Sequence, residues 1–288
     1  MQQLPISPAR TELKDHPTPH RHVISNPPTF SSHKMYTLTN RNVLITGGSR
    51  GLGAVTAERF AKEGCNIAIN YLNSSTAAEE LAKRLTETYG VKCVTIQADM
   101  ALEEDCHRLV KDTLSPTTGL GGLDILIHNA GWTKIGTFSD IASLTGPEWD
   151  KCMAVNCKAA LFLMQSSLST FNSNPNGGVV LMTSSCAATN CGGSSMAYSV
   201  SKAAGLHLMK CLAATQGPKI RVNAIQPGLL MTEWGRGFGE EKIKKATEKT
   251  KLGTLGSLED CAEGYVYLAK ADTVTGASLK IDGGAHEH

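Results

Sequence analysis

With 288 residues, 41% of them hydrophobic, the chain has enough material for one large domain or at most two small ones around a sizeable core, which excludes disorder throughout. Its 28 Lys and Arg stand against 26 Asp and Glu, a formal charge of +2 and far from the basic excess of a sequence-independent nucleic-acid binder, so the expected partner is a small molecule. No run approaches the roughly 18 uninterrupted apolar residues of a membrane span, and the N-terminus lacks the charged-then-apolar order of a secretory signal, so a cytoplasmic location is expected.

Residues 1–39 hold six of the eleven prolines and four of the nine histidines without apolar periodicity, and read as a disordered tail. His16, His20 and His22 sit in this Pro-interrupted stretch, where no fixed ligand geometry forms, and no metal is expected. The nine cysteines include no CxxC pair and fit reduced, mostly buried thiols.

From Asn42 short apolar runs alternate with amphipathic stretches, the pattern of strand-helix units around a parallel sheet. Strands are predicted at 42–46, 66–70, 92–97, 124–128, 178–183, 220–225 and 278–281. Helices are predicted near 52–63, 75–89, 102–114, 147–171, 197–216 and 258–269. The fourth helix opens on Thr145 and Glu148, a capping box with Pro147 inside it. Right-handed crossovers give an α/β fold: one Rossmann-type doubly wound parallel sheet of seven strands, helices on both faces, in a single domain over 40–288.

The first strand runs into Gly47-Gly48-Ser49-Arg50-Gly51-Leu52-Gly53 and then straight into a helix. Glycines there let the backbone turn tightly and approach a pyrophosphate, which the amides at the helix N-terminus would face; the competing reading is a plain tight turn. An acidic side chain after the second strand would accept from the ribose 2′-hydroxyl of NAD and repel a 2′-phosphate. The stretch Asn70-Tyr71-Leu72-Asn73-Ser74 has none, Arg50 offers a cation, and Asn70 and Ser74 offer neutral donors, so NADP(H) is expected over NAD(H). Arg50 as a merely solvated loop residue is the alternative.

Tyr198 and Lys202 stand four apart in a helical stretch and share a face, where the ammonium favours the phenolate and lowers the tyrosine pKa toward the working pH. Alone the spacing can be accidental. Thirteen residues before Tyr198, Ser185 ends a strand, where ligands of open parallel sheets bind. Strand alternation lets only one of Ser184 and Ser185 face the site, and the interval selects Ser185.

The glycine turn, His128-Asn129-Ala130-Gly131, Asn156, Ser185, the YxxxK pair and Pro227-Gly228 together resemble the short-chain dehydrogenase/reductase family in its compact form, over residues 40–284. The resemblance implies that Tyr198 is the acid in carbonyl reduction, or the base in alcohol oxidation, and that Ser185 polarises the substrate oxygen. It implies that Lys202 holds the nicotinamide ribose and keeps Tyr198 acidic, and that Asn156 holds a water linking Lys202 to solvent. For the cofactor it implies Asp99 with Met100 at the adenine, Asn129, Ala130 and Gly131 bracing the central strand beside it, and Pro227, Gly228, Leu229 and Thr232 at the nicotinamide. It further implies a homodimer or homotetramer through helices 147–171 and 197–216. His128 stands where the family often has asparagine and reads as structural.

Glycines and a helix between 229 and 256 suit a lid, whose charged stretch EEKIKKATEKTK reads as a solvated face. Trp132, Trp234, Phe238 and the uncharged 186–196 loop are the candidate substrate contacts and favour an apolar or aromatic ketone or aldehyde. Cys186 and Cys191 are either reactive or substrate-lining thiols, or loop packing. The leading expectation is an NADPH-dependent carbonyl reductase. An alcohol dehydrogenase run oxidatively uses the same residues, and a non-catalytic cofactor-binding protein would be expected to lack one of them.

Overall fold

The computed structural model describes residues 36–285, so His16, His20 and His22 lie outside the described residues. The end of the expected tail does not behave as one. Leu38 is 2% exposed in the core, and the Arg41 guanidinium lies over the Tyr36 ring, 4.6 Å from its centroid. Two apolar side chains four residues before the first strand are enough to draw that segment onto the domain.

Seven strands form one sheet: β1 (Asn42–Ile45), β2 (Asn66–Tyr71), β3 (Cys93–Gln97), β4 (Ile125–His128), β5 (Gly178–Thr183), β6 (Ile220–Pro227) and β7 (Ser278–Ile281). Every pairing is parallel, in the order β3-β2-β1-β4-β5-β6-β7. The central strands are apolar on both faces because helices cover both. On one side α1 (Gly51–Lys62), α2 (Ser75–Tyr89) and α9 (Leu258–Lys270) bury Phe60, Leu85 and Tyr265. On the other α3 (Glu103–Leu114), α5 (Ala159–Ser173) and α6 (Met196–Gln216) bury Leu109, Phe171 and Met209. The order in which strands are added reverses between β1 and β4, and the crevice beyond their carboxyl ends is where such sheets hold ligands.

The helix expected over 147–171 is interrupted. α4 (Gly146–Met153) carries the anticipated Thr145–Glu148 capping box, then a π-turn (Ala154–Lys158) intervenes before α5. The reason is tertiary: the π-turn presents the Val155 carbonyl to His128 Nε2 at 3.0 Å and brings Asn156 against the Trp132 backbone. Hydrogen bonds from the end of β4 thus override a local 3.6-residue period. Among the described residues no helix is long and apolar enough to cross a membrane, and no acidic, His and Cys cluster suits a metal.

His128 is 1% exposed, and burial, with the Lys202 ammonium nearby, pushes its pKa down to about 3. Its unfolded value of about 6.5 means that below that pH the unfolded chain binds a proton the native chain refuses. Stability is therefore fully present above about pH 6.5 and falls as pH drops toward 3, by roughly 1.4 kcal/mol per pH unit at full slope. His128→Asn should flatten the urea midpoint against pH between 6.5 and 4.5; an unchanged slope would exclude this residue as its source.

Gly178 opens β5 directly under the Phe171 ring, and a Cβ there would lie 2.2 Å from Phe171 Cγ. Gly178→Ala should cost about 1–3 kcal/mol, roughly 2–4 °C of Tm per kcal/mol, by overpacking. Adding Phe171→Leu should recover part of it, whereas strictly additive losses in the double variant would show that the two do not collide.

Candidate active site

Strand ends at the crevice leave backbone groups with no further ladder partner, and side-chain amides take them up. The Thr46 hydroxyl, fully buried, accepts from the amides of Asn129 (3.0 Å) and Ala130 (2.9 Å). Asn129 Nδ2 donates to the carbonyls of Thr46 and Gly47 at 3.0 and 3.1 Å, tying the end of β4 to the glycine turn. Asn70, expected as a donor to the adenosine ribose, is committed elsewhere. Its Oδ1 accepts from the Gly47 amide at 3.1 Å and its Nδ2 donates to the carbonyls of Tyr71, Ile96 and Ala98, with 2% exposure. Asn70 borders the cavity but its amide is spent on the turn, because the Gly47 amide and three carbonyls converge on it.

Gly47 (φ 60°) and Gly51 (φ 55°) adopt the left-handed region that an L side chain resists. Gly53 does not line the crevice. A Cβ on it would lie 2.2 Å from the Gly47 carbonyl and 2.7 Å from Asn129 Nδ2, so its role is to let α1 pack on the turn. Ser49, Arg50, Gly51 and Leu52 do line it, and no side chain caps the N-terminus of α1. Arg50 reaches across the opening to Glu233, 2.7 Å away, with both side chains largely exposed.

At the other end of the crevice Ser185 stands beside the Tyr198 hydroxyl and accepts from the Ala187 amide at 3.1 Å, while Ser184 donates to the Lys202 carbonyl at 3.3 Å and belongs to the packing of α6. Lys202 is 3% exposed, and its Nζ donates to the Thr183 carbonyl at 2.8 Å. The expected lowering of the Tyr198 pKa is not what this arrangement gives. Burial pushes it up to about 12, with the Ser185 hydrogen bond opposing, and burial brings Lys202 down to about 8. The ammonium is turned toward Thr183 and lies 5.6 Å from the tyrosine ring centroid, so desolvation of the phenolate outweighs its attraction. Near neutral pH Tyr198 is a phenol and Lys202 is mostly an ammonium.

Asn156 is buried on the π-turn. Its Oδ1 accepts from the Trp132 amide at 2.8 Å, and its Nδ2 donates to the Trp132 carbonyl and Ser201 Oγ, both at 2.9 Å. Both donors are thus used, and only an Oδ1 lone pair is left for a water. Thr183 and Ser201, which hold Lys202 and Asn156, are absent from the sequence reading; neither stands in a motif of its own, and only the strand and helix register locates them.

The crevice widens into a cavity of about 1250 Å³ lined by both ends. Asp99, Met100 and Ser74 lie on its wall with the glycine turn, and Pro227, Gly228, Leu229 and Thr232 on the side that carries α7 (Glu233–Arg236). Trp132, Trp234 and Phe238 line it, and the Trp234 ring meets Tyr198 edge-on at 5.5 Å. The two candidate cysteines separate. Cys186 lines the cavity but is buried, donates to the Gln226 carbonyl and to Asp282, and has its thiol pushed up to about 12, which opposes nucleophilic reactivity. Cys191 is exposed and lies off the cavity wall, because its loop turns it outward beside Gly192. The lid helix α8 (Glu240–Glu248) also departs from expectation: Lys242, Lys245 and, at its C-cap, Lys249 line the cavity instead of a purely solvated face.

A nicotinamide dinucleotide fits these residues. The cavity exceeds the roughly 300–1,000 Å³ of an ordinary ligand pocket and has room for a second molecule. At Gly131 a Cβ would project to within 3.5 Å of Asn156 Oδ1 and 3.6 Å of Lys202 Nζ, filling the cradle between them. The uncapped amides of α1 face the same opening.

Comparison with known proteins points the same way. A family profile described as enoyl-(acyl carrier protein) reductase matches residues 47–286. A Streptomyces violaceoruber protein named as a ketoacyl reductase of the granaticin polyketide synthase is 33% identical, covering 84% of this chain and 95% of its own. The L-rhamnose 1-dehydrogenase (NAD(P)(+)) of Azotobacter vinelandii is 31% identical over 86% of this chain and 97% of its own. The crystal structure of the NADPH-dependent 3-quinuclidinone reductase from Rhodotorula rubra superposes with a TM-score of 0.80 at 27% identity, covering 93% of this chain and 99% of that one. Identity of this order, end to end through the folded part and on the same sheet, is the mark of common descent, and the chain belongs to the short-chain dehydrogenase/reductase family of oxidoreductases.

Proposed function

We propose that the protein reduces a ketone or aldehyde with NADPH, with Tyr198 as the proton donor. The observation that carries this reading is a partly buried Tyr198 phenol, kept neutral by its desolvation, at the head of the cavity beside Ser185. A phenol that holds its proton up to about 12 is an acid in waiting, and reduction is the direction that consumes one. When bound, the dihydronicotinamide supplies the hydride that forms the new C–H bond and is itself oxidised by two electrons. As the carbonyl π bond breaks, Ser185 Oγ–H polarises its oxygen and Tyr198 delivers the proton that completes the hydroxyl. Lys202 keeps its ammonium beside the phenolate that results, and Asn156 closes the path to solvent. The aromatic wall of Trp132, Trp234 and Phe238 suits an apolar or aromatic body around the reacting carbon.

Tyr198→Phe keeps the ring and removes the proton, so it should still bind NADPH, read as a shift or quench of cofactor fluorescence, while turnover falls by about 10²–10⁴. A variant that reduces carbonyls at the native rate would sink the assignment.

The preference for NADPH rests on Arg50. Its pair with Glu233 joins side chains that are 67% and 78% exposed, and exposed pairs of this kind contribute little. A ribose 2′-phosphate offers the guanidinium a stronger, bidentate partner, with the Ser74 hydroxyl, unused as a cap of α2, beside it. The protein should show a lower KM for NADPH than for NADH, and Arg50→Gln should raise the NADPH value by about tenfold and leave NADH nearly unchanged. Parity of the two cofactors in the native enzyme, or preference for NADH, would refute this.

A further inference from the structure

Helix α8 sorts its charges by sign. Lys242, Lys245 and Lys249 line the cavity, with Ala246 and Thr250 between and after them, whereas Glu240, Glu241 and Glu248 do not. The spacing of three and four puts the lysines on one stripe. Lys245 is held by Glu241 at 2.6 Å, and the outward Lys244 stands 4.0 Å from Glu248. Lys242 and Lys249 carry no ion pair among the described residues, and Lys151 on α4, its Nζ 5.2 Å from the Trp132 ring centroid, lines the same cavity without one.

The acids on the cavity wall do not answer these cations. Glu233 is taken by Arg50, and Asp99 accepts from the Ala101 amide at 2.8 Å on the wall shared with the glycine turn. Asp282 accepts from Cys186 and from the Gly284 amide. The C-terminal end of α8 sits over the reacting end, away from the adenosine end: a Cβ at Gly283 would lie 3.2 Å from Thr250, and one at Gly228 would lie 2.9 Å from Asp282. Three unpaired cations on one cavity wall raise the positive potential there, and an anion seated among them would be attracted.

We propose that the substrate carries, at the end remote from its carbonyl, an anionic group, a carboxylate or a phosphate monoester, which Lys242 and Lys249 on α8 receive together with Lys151 of the same cavity. The inference rests on the reductase reading for the carbonyl end and adds a charge requirement at the other. An apolar body and an anionic tail are compatible, since aromatic and basic side chains line one cavity, Lys151 standing 5.2 Å from the Trp132 ring centroid.

The test uses the full-length protein saturated with NADPH and three probes: 4-oxo-4-phenylbutanoate, its methyl ester, and the phosphate monoester of 4-hydroxy-1-phenylbutan-1-one. Binding is read from cofactor fluorescence and turnover from absorbance. At least one anionic probe should bind about tenfold more tightly than the ester, with the preference shrinking as salt rises, and which anion leads identifies the tail. In Lys242→Gln/Lys249→Gln the ratio of anion to ester affinity should fall to near one while the KM for NADPH holds. Equal binding of all three probes, a preference that survives the double substitution, or a matching rise in the KM for NADPH would each overturn the proposal, the last by giving the lysines to the cofactor. Anion-selective binding without turnover of any probe leaves the lysine assignment standing and removes the reductase reading instead.

Discussion

The site depends on how the sheet ends. Past Ile45, Tyr71 and His128 the parallel strands have no further ladder to join, and unsatisfied backbone groups in a buried crevice each cost about 1–3 kcal/mol. Asn70 and Asn129 absorb them from opposite sides and meet at Gly47, one holding its amide and the other its carbonyl. That clamp fixes the glycine turn, the turn aims the N-terminus of α1, and α1 in turn packs on it through Gly53, where no side chain would fit. The ligand crevice is therefore a product of backbone satisfaction at the topological reversal, and the same hydrogen bonds that stabilise the fold shape it.

Much of this was legible in the sequence because it rests on period and punctuation. Seven apolar runs gave the seven strands, and the Thr145–Glu148 box with Pro147 marked a helix start that the structure keeps. What escaped depends on tertiary hydrogen bonds. The π-turn at Ala154–Lys158 has a helical sequence, and only the pull of His128 on the Val155 carbonyl explains it. Asn70 looked like a free polar donor after a strand, since nothing in a linear reading shows three carbonyls converging on its amide. The charges of α8 read as a solvated mixture because sign alternation along the chain hides segregation around the axis; only the placement of the helix shows which stripe meets the cavity.

Burial also reorders the two titrating groups of the helix α6 pair. In water tyrosine and lysine release their protons at nearly the same pH, about 10 to 10.5. Here one low-dielectric setting pushes Tyr198 up to about 12 and Lys202 down to about 8, because it disfavours the charged form of each and their charged forms are opposite in sign of shift. The pair therefore stays mostly protonated at neutral pH, the state that carbonyl reduction requires, and the lysine is the first of the two to lose its proton as pH rises.

In the proposed reaction this order has a directional consequence. Once Tyr198 gives up its proton, the phenolate stands near an ammonium whose own hold on its proton is weakened by burial, so Lys202 is the more acidic of the two and can resupply the phenol. The lysine is then the group to be reloaded, along the path that Asn156 closes. A lysine held near its solution value of about 10.5 would still lie below the phenol but with a smaller drive for the transfer, and a tyrosine drawn down toward neutrality would start each cycle partly deprotonated. The burial that looks costly for both residues is what makes one a donor and the other its supply.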